Sequence, residues 1–429
     1  MPLPIICATA ALCQFVSAFS KHFSKPQRKY FVTVLLAFLL CEERRTLTAL
    51  LRRILDARSL SGLSRFFGRA PWSEEEVAQT WRKRFDAQVR PLVRAAHQQQ
   101  EAARPKTVGR PKATLVTGYL LLDDSTHPKP KGRKMGGLGR HYSSTQKCQV
   151  KGHSLFQALY VLEGRQCPLP PKMYATKSAC QKLEQPFRSK IDLAIDCVTD
   201  FEPVEQTQTH VLADSWFACQ KLWRAAKKRG FAISGGLKCN RKLRLVDAAG
   251  NSFYGSLAEY AATLTPEQFS EYVWPSASGG NPVFVHRVRT FVRKLGACQV
   301  LIVRPSADAT LKQTRYFVSS LLEADTQTIL SILAIRWGIE TFFDDLKELF
   351  GSDHYQMMSA KSILRFWTLA CCGYVFLEEQ RAQRGVASSS LGAIRRQLYN
   401  EHYSRLLEWL QKGFQDGGVP QEMVQRLAA

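Results

Sequence analysis

Residues 115–126 read Leu-Val-Thr-Gly-Tyr-Leu-Leu-Leu-Asp-Asp-Ser-Thr. A short, mostly apolar run of this kind reads as a central β-strand. It ends in Asp123 and Asp124, so the strand opens at an acidic tip. Further strands are expected over 155–162 and over 210–213, the latter ending in Asp214. A helix over 217–228 and a strand over 231–235 follow. Strands alternating with a helix predict an α/β core around a partly parallel sheet. Sites in open α/β sheets are built at strand ends, which makes Asp124 and Asp214 candidates. Aspartates there also serve as turn and cap residues.

Downstream, a strand over 315–320 leads into one long helix over about 326–350. Arg336, Glu340 and Lys347 are spaced 4 and 7 on it. At about 100° per residue they fall within roughly 40° of each other. Ile335, Ile339, Phe342, Leu346 and Leu349 form a separate apolar stripe that would dock on the sheet. One face thus presents an acid bracketed by two cations. The same spacing also suits a solvated ladder, because Arg336 and Glu340 pair at i, i+4.

Between the first two strands lies HPKPKGRKMGGLGRHYSSTQKCQVKG, residues 127–152, with seven Lys or Arg and no acid. Its glycines would let backbone N–H groups approach a phosphate, although no P-loop pattern occurs. A mobile basic loop beside strand-end aspartates suits DNA, and Lys129, Lys131, Arg133, Lys134 and Arg140 are its candidate contacts. A merely solvated loop is the alternative.

Upstream, residues 1–97 read as helical, with apolar residues at helical spacing over 30–55 and 74–93. Ser73 and Glu76 are placed as a capping box. Through residue 116 there are 20 basic and 8 acidic residues, half of the chain's charge excess, so this lobe is a candidate reader of duplex DNA. Residues 98–114 read as a polar linker. Its Gly109-Arg110-Pro111 is either the core of a minor-groove hook or ordinary charged linker. The remaining division is 115–236 for the first part of the core and 237–308 for a β-rich insertion. Residues 309–380 would return to the core with the Glu340 helix, and 381–429 form a C-terminal helical region.

Over the 429 residues, 45% hydrophobic and 10% aromatic content exclude a disordered chain. A formal net charge of +24 points to a polyanion partner, most often nucleic acid. Twelve cysteines without CxxC spacing argue against a zinc site or a disulfide scaffold and for buried thiols in a reducing cytoplasm. The apolar run 31–41 is about half of a bilayer crossing, and 363–377 contains Arg365 and reads as a buried helix. A soluble, cytoplasmic protein with no membrane partner is expected.

Asp124-Ser125-Thr126, then Ala213-Asp214, then Arg336-x3-Glu340-x6-Lys347 together resemble the DDE transposases of bacterial insertion sequences. More narrowly, they resemble the cut-and-paste branch marked by a Tyr-x2-Arg-x3-Glu-x6-Lys signature. The acids lie 90 and 126 residues apart, and the longer interval leaves room for the β-rich insertion typical of that branch. Residues 23–72 are similar to the helical lobe of one subgroup. Leu333 stands where the signature has Tyr.

The resemblance implies an α/β, RNase H-like core with a β-rich insertion and an N-terminal helical domain. In it Asp124, Asp214 and Glu340 would converge on two Mg²⁺ (or Mn²⁺) ions to cut DNA and then join the freed 3′ end to a target. A hairpin on the flanking strand is implied as well. Arg336 and Lys347 would hold phosphates, while Trp337 or Trp274 either stacks on a flipped base or packs. The implied partners are double-stranded DNA, as terminal inverted repeats and as target, and a second copy in a homodimer. Asp123 and Asp124 both remain open as the first ligand, the following Ser/Thr residues favouring Asp124. Two other readings share these acids: an RNase H-like nuclease that cuts without joining, and a DNA-binding derivative that has lost catalysis.

Overall fold

A computed structural model describes residues 8–52, 54, 59–103, 115–143, 146–246, 250–276, 279–385 and 389–415. Gly109-Arg110-Pro111 and the end of the C-terminal region lie outside them.

Five helices come first: α1 (Ala10–Ser17), α2 (Lys25–Leu40), α3 (Leu47–Arg52), α4 (Leu60–Gly68) and α5 (Glu74–Ala102). The expected helix over 30–55 is thus two, and α5 runs five residues into the stretch read as linker. Ser73 caps α5 by accepting the Glu76 N–H, but the Glu76 carboxylate does not complete a capping box. It turns instead to His22 Nδ1 at 3.2 Å.

Next come β1 (Val116–Pro128), β2 (Gly139–Ser143), β3 (Cys148–Leu162), β4 (Arg165–Pro168), β5 (Lys172–Tyr174), α6 (Lys177–Lys182) and α7 (Lys190–Asp200). They are followed by β6 (Thr207–Ala213), α8 (Gln220–Lys228) and β7 (Ala232–Gly236). The segment after β7 holds β8 (Lys242–Val246), β9 (Ser252–Ser256), α9 (Leu257–Ala262), β10 (Ser270–Trp274), β11 (Asn281–Val292) and β12 (Gly296–Arg304). The chain closes with β13 (Arg315–Ser319), α10 (Thr326–Ile335), α11 (Gly338–Glu348), α12 (Ala360–Gln383) and α13 (Leu391–Gln415).

One mixed sheet runs β2-β3-β1-β6-β7-β13-β12-β11-β8-β9, with β4 and β5 on β3 and β10 on β11. β1–β6 and β6–β7 are parallel and the other pairs antiparallel. An antiparallel set on one side of β1 and parallel β6 and β7 on the other, with helices on the faces, make an RNase H-like core. β8 to β12 join the same sheet through β13, which pairs with β7.

α12 is the helix around which the N-terminal helices and the sheet pack. It is long and apolar enough to cross a membrane by length and composition, alone among the described residues in that, yet 83% of its apolar window is buried inside the protein. Its Arg365 is buried and binds Glu74 at 2.8 Å and the carbonyl oxygens of Phe67 and Trp72. From α5, Trp81 donates to the Pro168 carbonyl (2.8 Å) and Arg84 grips Glu379 with both nitrogens (2.8 and 2.6 Å). The helical lobe therefore shares one continuous hydrophobic core with the sheet.

The single helix expected over 326–350 is broken into α10 and α11. Between them the N–H groups of Arg336, Trp337, Ile339 and Glu340 all bond three residues back, at 3.1–3.2 Å, in a tight 3₁₀-like turn. Gly338, a poor helix former, lies in that turn, where a Cβ would already touch Leu121 at 3.5 Å.

Candidate active site

β1 runs past the acids instead of stopping at them. Its parallel pairing with β6 ends at Leu122↔Ala213, while its antiparallel pairing with β3 continues to Pro128. Asp123 and Asp214 thus follow directly where the two parallel strands part, at the crevice where open α/β sheets place their sites. Asp214 Oδ1 accepts the N–H groups of Trp216 (2.9 Å) and Phe217 (3.1 Å), which fixes the turn out of β6.

Successive strand residues face opposite sides. α11 lies along the side of Leu121, Asp123 and His127: Gly338 meets Leu121, and the Lys347 charge acts on His127. Glu340 is linked to the strand acids through Arg336, which bonds it and acts on both Asp123 and Asp214. Asp123 is pushed up to about 7, first by burial and then by the nearby Asp214, with Arg336 pulling the other way. Asp214 is also raised, by burial and by the Asp124 charge, against its two backbone hydrogen bonds and Arg336. Arg336 bonds Glu340 at 2.6 Å. Asp123, Asp124, Asp214 and Arg336 therefore form one electrostatic group, to which Arg336 joins Glu340.

Asp124 points to the other face. Its Oδ2 accepts from Ser154 Oγ (3.0 Å) and Lys190 Nζ (2.5 Å), the first residue of α7. Strand alternation places Asp123 on the α11 side and Asp124 on the α7 side, and each of them interacts with Asp214. Sequence reasoning missed Lys190 and Ser154. Lys190 is 66 residues from Asp124 and opens a helix behind an ordinary Ser189–Asp192 capping box, so no local signal marks it.

The basic loop separates into two kinds of residue. Lys131, Arg133, Lys134 and Arg140 are exposed, while Lys129 is buried, its ammonium donating to the carbonyl oxygens of Asp353 and Tyr355 (2.8 Å to the latter). Lys129 is thus a structural anchor and not a free phosphate contact. Around Gly136 the loop is packed against the start of α12. The Gly136 N–H bonds the Met358 carbonyl at 2.7 Å, and a Cβ on Gly136 would stand 2.8 Å from the Ala360 nitrogen. That glycine serves close backbone packing.

Trp337, in the turn before α11, is 63% exposed, so burial is not its role. Trp274 packs on Phe317 at 5.3 Å between ring centroids. Both line a cavity of about 810 Å³ with Gln166, Asn281 and Arg315.

Residues 18–252 match the family model of the DDE superfamily endonucleases, more than half of the chain, and residues 180–376 match that of the transposase DDE domain. The chain belongs to the DDE superfamily of endonucleases. This DDE protein is an enzyme of the transposase and nuclease type, and its partner is DNA. No curated protein matches it.

DDE endonucleases generally use divalent metal ions. Among the described residues no three acidic, His or Cys side chains converge as a ready-made metal site. Glu340 is closed on Arg336 and Asp124 on Lys190. The donor set nonetheless fits a hard divalent cation: only carboxylate oxygens are on offer, and Asp123 and Asp214 stand half-buried within reach of each other's charge.

Proposed function

We propose that this enzyme is a cut-and-paste transposase that cleaves DNA at the ends of an insertion sequence and transfers the freed 3′ ends to a target, depending on Mg²⁺ or Mn²⁺. The observation that supports it best is Arg336, which interacts with the strand-end acids Asp123 and Asp214 and holds Glu340 of α11. Asp123, Asp214 and Glu340 would hold the ions, with Asp124 at the rim. Two such ions supply an activated water and stabilise the leaving 3′ oxygen. Arg336 neutralises Glu340 and the acid pair until substrate arrives, and then offers its guanidinium to a phosphate. Lys347, further along α11, adds a second cation, and Lys131, Arg133, Lys134 and Arg140 present charge to the backbone of the duplex. The resemblance further supports terminal inverted repeats as substrate, a homodimer on paired ends, a hairpin on the flanking strand and a cytoplasmic, nucleoid-associated location. The basic helical lobe is the part assigned to holding the duplex.

Single-turnover cleavage with Mg²⁺ tests this reading. Asp123→Asn, Asp214→Asn and Glu340→Gln are each expected to lower cleavage by about a thousandfold, roughly 4 kcal/mol of barrier, with DNA binding retained. Asp124→Asn is expected to cost about tenfold or less. A thousandfold loss in Asp124→Asn with near-normal Asp123→Asn would return the ligand to Asp124. Cutting of end DNA without joining of pre-cut ends would identify a nuclease.

A further inference from the structure

On the α7 side of the crevice stands a group of side chains that the cleavage chemistry does not use. Lys190 Nζ, besides holding Asp124, lies 5.8 Å from the Trp216 ring centroid and 5.3 Å from that of Tyr174. Tyr174 stands edge-on to Phe187 at 6.4 Å, and Lys177 Nζ lies 5.6 Å from the Phe187 ring. Trp216, Lys190, Tyr174, Phe187 and Lys177 therefore form one row in which aromatic and cationic groups interleave.

Two features set this row apart from a packed cluster. Trp216 is 46% and Phe187 39% exposed, so large apolar faces are left in water beside the acids. The row is also held in place. The Trp216 N–H is fixed by Asp214 Oδ1 at 2.9 Å, and Lys190 begins a helix whose Ser189 and Asp192 cap each other. Exposed aromatic faces offer stacking to nucleobases, and cations spaced between them offer contacts to the phosphates. A duplex keeps its base faces stacked inside, so the chemistry fits a strand whose bases are unpaired.

We propose that this row is a platform for single-stranded DNA, along which an unpaired strand enters the crevice beside Asp124. The proposal rests on reading the acids as a DNA-cleaving site.

The test is equilibrium binding of the full-length protein, in EDTA, to a fluorescent oligothymidine and to a duplex of the same length. Trp216→Ala and Phe187→Leu are each expected to weaken single-strand binding about tenfold, the loss of roughly one base stack, with duplex binding within about twofold of wild type. Trp216→Phe, which keeps a ring, is expected to retain single-strand binding to within about twofold. Unchanged single-strand affinity in both ring-deleting variants, equal losses on strand and duplex, or no single-strand binding by the wild type overturns the platform. EDTA prevents cleavage, so the outcome does not depend on catalysis. A wild type that binds in this pattern but never cleaves with Mg²⁺ would overturn the transposase reading and leave the platform standing.

Discussion

Arg336 faces three carboxylates: Glu340 at 2.6 Å, and Asp123 and Asp214, whose protonation it opposes. A lone i, i+4 pair on a solvated helix contributes a few tenths of a kcal/mol. A guanidinium poised over an acid cluster that receives phosphate does more. Arg336→Ala and Lys347→Ala are each expected to lower single-turnover cleavage about tenfold, the loss of one charge-assisted contact of about 1.5–3 kcal/mol. Melting temperature should stay within a few degrees, because neither residue lies among the buried Ile339, Phe342 and Leu346. Unchanged cleavage would reject the clamp. At this scale the place of Asp214 at a strand end and of Glu340 one turn from Arg336 was legible, one as the end of an apolar run and the other from helical spacing. The choice between Asp123 and Asp124 was not. It depends on which face of β1 the Glu340 helix covers, and alternation along one strand carries no such information.

α12 was recognisable as a buried helix from its apolar run, but the reason for its arginine was not. Arg365 ties α12 to α5 through Glu74 and to the α4–α5 connection through the carbonyl oxygens of Phe67 and Trp72, with its guanidinium 4.3 Å from the Trp72 ring centroid. Arg365→Ala would strand a carboxylate and those carbonyl oxygens in the core and is expected to cost about 3–5 kcal/mol. Denaturant unfolding at constant m-value measures it, and a loss below about 1 kcal/mol would show that Glu74 and the carbonyls find water instead. The α10–α11 break belongs to the same scale. The apolar stripe runs through it without interruption, so periodicity reads one helix. Packing of the turn on Leu121, which tolerates glycine there, sets the level of Glu340.

Across the whole molecule, a net charge of +24 predicts DNA affinity that falls steeply with salt, since bound Lys and Arg release counterions. A log–log slope near zero would mean that the charge has another use. Four of the buried histidines predict a second global property. Burial pushes His141 and His153 down to about 4 and His210 to about 3, and it holds His127 well below the usual range. The unfolded chain protonates these rings near pH 6.5 while the folded one does not, so below that pH unfolding takes up protons and stability falls with acid. Asp123 and Glu378, pushed up to about 7, and Asp345, to about 6, take up protons in the fold over the same range and oppose this. Calorimetry from about pH 7 to pH 5 should therefore show His210→Gln losing less melting temperature than the wild type, and parallel profiles would contradict the burial of that ring.

The sequence by itself determined the α/β class, a central strand that carries Asp124 and another that ends at Asp214, the helical presentation of Glu340 and the affinity for a polyanion. Each of these is written locally, in the period of apolar residues or in the balance of charge. Tertiary structure alone decided that Asp123 and Asp214 share Arg336, that Lys190 holds Asp124, that Lys129 is an anchor, and that the helical lobe shares the core of the sheet. Those facts depend on which elements meet across the sheet, between residues far apart along the chain. Burial and strand alternation settle such contacts only once the chain has folded.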